Sequence, residues 1–180
     1  MSVEQPTPFA AAAAFIAEQP QPEVTVPVRC LLVGPTAVEV RLGGRVVAVD
    51  EPHPLGGQAT APTPEQYALA ALGACQAITF RYWSDRLGIP FDGLRIDVRG
   101  DIDLRAALGL SDGARPGYRD VRMAVRVAGR EPDTHYVELL RAVDEHAPVL
   151  DVFRNQVRVE TSVAALTPPP RNDIEKRGMT

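Results

Sequence analysis

The chain is short of cysteine, lysine and aromatic residues, and each shortage excludes a class of function. Two cysteines in 180 residues, Cys30 and Cys75, are too few for a disulfide framework or a zinc cluster. Lys176, near the C-terminus, is the only lysine, which leaves no Walker-type phosphate loop and no lysine Schiff base inside the fold. No Gly-x-Gly-x-x-Gly follows an expected strand, so nucleotide chemistry is not expected either. Aromatic residues make up 6%, too few for base-stacking platforms, and the net charge of −4 contains no long run of one sign. Nucleic acid is therefore not an expected partner. His53, His135 and His146 show no metal-ligand spacing. No stretch is long enough to span a membrane. The alanine run Ala10–Ala14 has no positive residue before it, which makes a poor signal peptide. A soluble, cytoplasmic protein is expected.

What is present suits one domain with tails, since 45% apolar residues are enough for a core. Residues 1–22 read as an extension carrying a short helix over Phe9–Glu18. The domain itself is expected over residues 23–163, followed by a tail over 164–180 with prolines at 168–170. A strand is expected from Glu23 through Val33, broken by Gly34-Pro35. A second covers Ala37–Leu42, a turn falls at Gly43-Gly44, and a third strand covers Arg45–Asp50. Two long strands are expected later, from Leu94 to Leu104 and from Tyr118 to Ala128. A second helix opens at Pro132-Asp133-Thr134, with Val137, Leu140 and Val143 on one side, and is ended by His146-Ala147-Pro148-Val149. A last strand is expected over Gln156–Thr161.

Between the two sets of strands lies the most informative segment. Thr63 caps a helix with Pro64 at its first position, and the helix reaches about Leu87 before Gly88 stops it. From Tyr67 to Ala74 it carries no charge, and such a helix asks for burial on all sides. One small sheet cannot supply that. Two copies with their helices packed together, each covered by sheet, would. The fold class expected is α+β, with antiparallel strands wrapping a long central helix in an intertwined homodimer. Cys75 lies on this helix as either a small core side chain or a reactive thiol kept from bulk water.

The run Pro64-Glu65-Gln66 followed by Ala-Ala-Leu-Gly-Ala-Cys75 resembles the central helix of the OsmC/Ohr family of thiol peroxidases. So do the element order, Gly-Asp-Ile-Asp-Leu at 100–104 and His-Ala-Pro-Val at 146–149. The resemblance covers roughly residues 24–162. It implies an intertwined dimer with sites at the subunit interface, no metal or cofactor, and a helix cysteine that attacks organic or inorganic hydroperoxides. On that basis Cys75 is the candidate nucleophile, and Glu65 the carboxylate that orients a thiolate-binding arginine. Two departures stand out. The family's second cysteine is replaced by Ala147, so an external thiol reductant is expected to resolve oxidised Cys75. The turn Val33-Gly34-Pro35-Thr36 also lacks the arginine that peroxidase members place there.

An ordinary thiol ionises near pH 8.5, and burial disfavours its charged form, so a nearby cation is required. Arg29, Arg41, Arg45, Arg81, Arg122 and Arg126 are all candidates, and the sequence does not choose among them. Glu65 and Cys75 are separated by about 15 Å along one straight helix, so they meet only in trans across paired helices. Glu65 is equally a first-turn carboxylate favouring the helix N-terminus. Cys30 is read as core before substitute resolving thiol, and His146 as a helix-terminal cap before general base. His53 reads as a loop residue. Tyr82 and Trp83 read as packing before substrate pocket. The alternative function is an inactive OsmC-like protein that binds an apolar small molecule at the dimer interface. A weaker third is acyl transfer through Cys75 and His146.

Overall fold

A computed structural model describes residues 5–165. The expected Pro-rich segment falls outside the described residues. The first helix, α1 (Pro8–Ala17), is capped by the Thr7 hydroxyl. Strands β1 (Val28–Leu32), β2 (Val38–Leu42) and β3 (Arg45–Val49) form an antiparallel meander, with Cys30 opposite Val40 and Val40 opposite Val47. The strand expected from Glu23 begins only at Val28. Pro27, lacking an N–H, cannot extend the ladder. Gly43 takes a positive φ of 58° in the turn, as the Gly-Gly pair requires.

Helix α2 (Pro64–Leu87) has the expected bounds. Its start is stronger than Thr63 alone suggests. The Gln66 N–H donates to the Thr63 hydroxyl, while the Gln66 side chain accepts from the Thr63 N–H, a reciprocal capping box. Gly88 closes it with φ of 65°. Strands β4 (Gly93–Ile102) and β5 (Tyr118–Ala128) pair antiparallel and cover one side of α2. The approach is close at Gly73, where an added Cβ would lie 3.1 Å from Val98 Cγ2. β4 stops two residues short of the expected Leu104, because Asp103 caps a single helical turn, α3 (Leu104–Ala107).

Helix α4 (Asp133–His146) buries Leu139 and Val143 against α2, whereas Val137, expected on the inner side, is exposed. At the C-terminal end a further helix, α5 (Pro148–Arg154), follows at once, which corrects the expectation that residues 146–149 only end α4. Pro148 at its first position fits a helix start. Residues 156–161, expected as a strand, have no sheet partner among the described residues and are exposed.

Two clusters flank α2. Phe80, Ile89, Leu139 and Val143 form one, with Trp83 and Phe91 packed on it. Leu72, Ala147 and Leu150 form the other, which includes Cys75. The expectation of burial on every side is not met within one chain. Ala70, Ala71, Ala74 and Ile78 are exposed, because the β4–β5 sheet and α4–α5 reach only the remaining faces.

The connection from β3 to α2 is fixed by one carboxylate. Asp50 is buried and accepts hydrogen bonds from the Thr36 hydroxyl at 2.7 Å, the Glu51 N–H at 2.8 Å, the Thr60 hydroxyl at 2.9 Å, and the N–H groups of Gln58 and Thr60 at 3.1 and 3.2 Å. These donors, the Thr36 hydroxyl foremost, hold its carboxyl far below the usual carboxylate range, against the opposing effect of burial. In the unfolded chain the same group takes up its proton near the ordinary value of about 3.9. The stability it contributes is therefore complete above that pH and is lost as pH falls toward the lower folded value. Thermal unfolding across pH 3–7 should show a fall in melting temperature below about pH 4. Asp50→Asn should lower the melting temperature at pH 7 and flatten that fall. A variant with the wild-type acid response would remove Asp50 as its source.

Candidate active site

Cys75 opens the fourth turn of α2, on the side facing α5. Its side chain is half-buried and packs against the cluster of Leu72, Ala147 and Leu150, on which Val98, Val121 and Met123 also pack. Among the described residues one hydrogen bond reaches it, from the Val149 N–H at 3.5 Å. That donor is free to serve the sulfur because the first N–H groups of a helix have no partner within it. Ala147, at the position of the missing second cysteine, is buried in the same cluster.

No candidate guanidinium bonds to this sulfur within the chain. Arg41 pairs with Glu39 at 3.5 Å and Arg122 with Asp101 at 2.7 Å, and Arg126 bonds Asp97. Arg81 lies over the Phe91 ring, 4.1 Å from its centre. Arg29 stands opposite Arg41 across β1 and β2, and Arg45 opposite Leu42 at the hairpin end. These exposed ion pairs contribute little to stability.

Glu65 stands in the first turn of α2, ten residues before Cys75 on a helix without a break. The fold does not bring the two together. The backbone carbonyl of Glu65 accepts from the Tyr118 hydroxyl at 2.8 Å, tying the start of α2 to β5. Burial, then the charges of Glu65 and Asp50, push the Glu51 carboxyl upward. Burial and the Glu65 charge likewise raise the Tyr118 phenol. Glu65 thus sits in an acidic corner with Glu51. Tyr118 reaches it across Gly100, where a Cβ would fall 2.4 Å from the ring.

Cys30 is exposed on β1, which corrects its assignment to the core. His146 ends α4 with Nδ1 directed at the Ala142 carbonyl, 2.8 Å away, and its ring lies 4.1 Å from that of Trp83. That is a helix-end role. Arg86 covers Trp83 at 4.6 Å and reaches Phe9 of α1 at 5.5 Å, so the aromatic pair serves packing through Trp83. His53 belongs to a short 3₁₀ turn, with Nδ1 3.1 Å from the Gly57 carbonyl.

Beyond Leu72 and Leu150 opens a cleft of about 720 Å³ between β5 and the helices, with Met123, Leu140 and Phe153 in its walls and Asp144 and Arg154 among its polar groups. Asp144 also bonds Gln76, the wholly buried neighbour of Cys75. Sequence reasoning missed Gln76, Asp144, Val149 and Arg154. The signal was present in Ala147-Pro148, an extended residue and a proline, which opens a new helix as readily as it ends an old one. No group of three or more His, Cys, Asp or Glu side chains suited to a metal occurs among the described residues, and no helix there is long and apolar enough to cross a membrane.

Antiparallel strands around one long helix, with a lone thiol on that helix, define a class of α+β proteins. The model of the OsmC-like protein family matches residues 56–162, more than half of the chain, and the chain belongs to that family. The solved OsmC-like protein of Mycoplasma pneumoniae superposes with a TM-score of 0.65 at 15% identity, over 73% of this chain and 89% of that one. An organic hydroperoxide resistance protein of Legionella pneumophila gives 0.56 at 18%, over 73% and 90%. The organic hydroperoxide resistance protein of Bacillus subtilis gives 0.51 at 20%, over 73% and 91%. At these identities the likeness is one of fold. The search of curated proteins returned no match in sequence.

Proposed function

We propose that the chain reduces hydroperoxides through the single thiol of Cys75. The observation that carries this reading is the sulfur's setting on the central helix, half-buried among apolar side chains and bonded by the Val149 N–H. The Cys75 thiolate attacks the terminal oxygen of the hydroperoxide, forming an S–O bond as the O–O bond breaks. The alkoxide leaves with a proton as the alcohol, and the sulfur is left as a sulfenic acid. One external thiol then displaces water to give a mixed disulfide, and a second restores Cys75.

The stabilising cation comes from a second copy of the chain. The exposed apolar face of Ala70, Ala71, Ala74 and Ile78 supports pairing of two α2 helices. In that arrangement Glu65 of one copy approaches Cys75 of the other, and the acidic corner of Glu65 and Glu51 is suited to hold a guanidinium. Cytoplasmic action with a thiol reductant belongs to the same proposal. A second reading, an OsmC-like protein binding an apolar molecule without catalysis, is favoured by Ala147 and by the apolar cleft beside Leu72.

Intact-mass spectrometry after mild peroxide separates the two. Catalysis requires a single added oxygen on Cys75, trapped by a sulfenic-acid reagent. Ala147→Cys then provides a sharper test, because position 147 packs in the same cluster as the sulfur. Peroxide should close a bridge between Cys75 and the introduced thiol, reversible by reductant. An unmodified Cys75 after peroxide, in both proteins, would leave the binder.

A further inference from the structure

We propose that Asp144 is a positioning residue for Cys75, holding the first turn of α5 against the sulfur through Arg154 and Gln76. The inference rests on the reading of Cys75 as a reactive thiol. Asp144 stands near the end of α4, between the other two helices that meet at the site. One carboxylate oxygen accepts from Gln76 Nε2 of α2 at 2.8 Å. The other accepts from an Arg154 guanidinium N–H at 2.9 Å, and a second N–H of that group reaches the Asp144 carbonyl at 3.5 Å. One side chain thereby bolts α2 to α5.

The two ends of this bolt bear on the sulfur. Gln76 is the residue after Cys75, so it fixes the turn of α2 that carries the thiol. Arg154 is the last residue of α5, whose second residue, Val149, donates to Sγ. A helix of seven residues has little stability of its own and takes its orientation from what tethers it. At one end that tether is the burial of Ala147 and Leu150; at the other Phe153 packs on the same cluster and Arg154 supplies the polar tie to Asp144. Apolar packing holds α5 against α2 but leaves its rotation less defined, and loss of the guanidinium bond shifts the Val149 N–H relative to the sulfur.

The chemistry of Gln76 points the same way. It is wholly buried, and its Oε1 has no hydrogen-bond partner among the described residues. A buried acceptor left bare is a cost that an apolar residue of similar size would avoid. The amide's single bond, to Asp144, is the compensation visible in the structure. A side chain retained for stability alone would more simply be leucine or methionine.

The test is the rate at which a bimane reagent alkylates Cys75 between pH 6 and 10, in full-length protein with Cys30→Ser so that one thiol reports. Asp144→Asn and Arg154→Gln should each slow alkylation at pH 7, relative to the high-pH plateau, by about 2- to 10-fold, the equilibrium factor of one hydrogen bond. Arg154→Lys, keeping a donor cation, should recover part of the loss. Arg154 is exposed at the protein surface, so its variants are expected to fold even where Asp144→Asn does not. Folded variants that keep the wild-type pH profile would reduce Asp144 to a structural tie and overturn the inference alone. A wild-type Cys75 that alkylates at pH 7 no faster than an unstructured thiol would overturn the reactive-thiol reading, and the inference with it.

Discussion

Replacing Cys75 with serine is expected to remove thiol-dependent hydroperoxide consumption, by on the order of 10³-fold or more. A hydroxyl at this position has no adjacent base to ionise it. Among the described residues the sulfur's one bond is from the Val149 N–H, and His146 directs Nδ1 at the Ala142 carbonyl and stacks on Trp83. Serine also cannot form the sulfenic acid on which turnover depends. Cys30→Ser serves as the matched control. Cys30 is exposed on β1, so loss of its thiol should leave peroxide consumption within about twofold, as for a substitution away from the reacting atoms. The assay is peroxide loss against a dithiol reductant in excess. If Cys75→Ser retains activity while Cys30→Ser loses it, the site belongs on the meander and the assignment of Cys75 fails.

The helix that carries this thiol was legible because its signals are local. Thr63, Pro64 and Gly88 set its ends, and the uncharged stretch before Cys75 identified it as central. Strands β4 and β5 were legible from strict alternation, which positions such as Val121, Met123, Val125 and Val127 maintain on the inner face. The site itself was only partly legible. A cysteine is visible in sequence, but the donor on its sulfur is a backbone N–H, which no residue type encodes. The Gln76–Asp144–Arg154 connection spans 68 positions at one end and 10 at the other, with no periodicity to betray it.

The strand expected over residues 156–161 shows a further limit. Val157 and Val159 alternate with polar residues as a half-buried strand would, yet they are exposed in the single chain. The same is true of Val28 and Leu32 on β1 and of Ile78 on α2. Alternation records that a face is to be covered and carries no information on which chain covers it. The exposed valines and the open face of α2 are the surfaces that the pairing of two copies proposed above would cover.

Phe80→Ala is expected to be the most damaging substitution outside the site, and its comparison with Ile78 tests that pairing. The Phe80 ring is wholly buried in the cluster of Ile89, Leu139 and Val143, where α2 meets α4. Removing it forfeits the transfer of the ring from water and leaves a cavity that two packed helices fill only in part, at a cost of about 3–5 kcal/mol. In a chain of this size that corresponds to a fall in melting temperature of about 6–20 °C. The loss is readable in the fluorescence of Trp83, which packs on the same cluster. Ile78 sits two residues earlier and is 56% exposed in the single chain. If the chain works alone, Ile78→Ala should change stability by no more than about 0.5 kcal/mol, as surface substitutions do. If two α2 helices pack through this face, Ile78→Ala should cost several degrees and make the melting temperature depend on protein concentration. A silent Ile78→Ala with a damaging Phe80→Ala would leave Cys75 to find its cation within one chain, where none of the candidate arginines bonds to it.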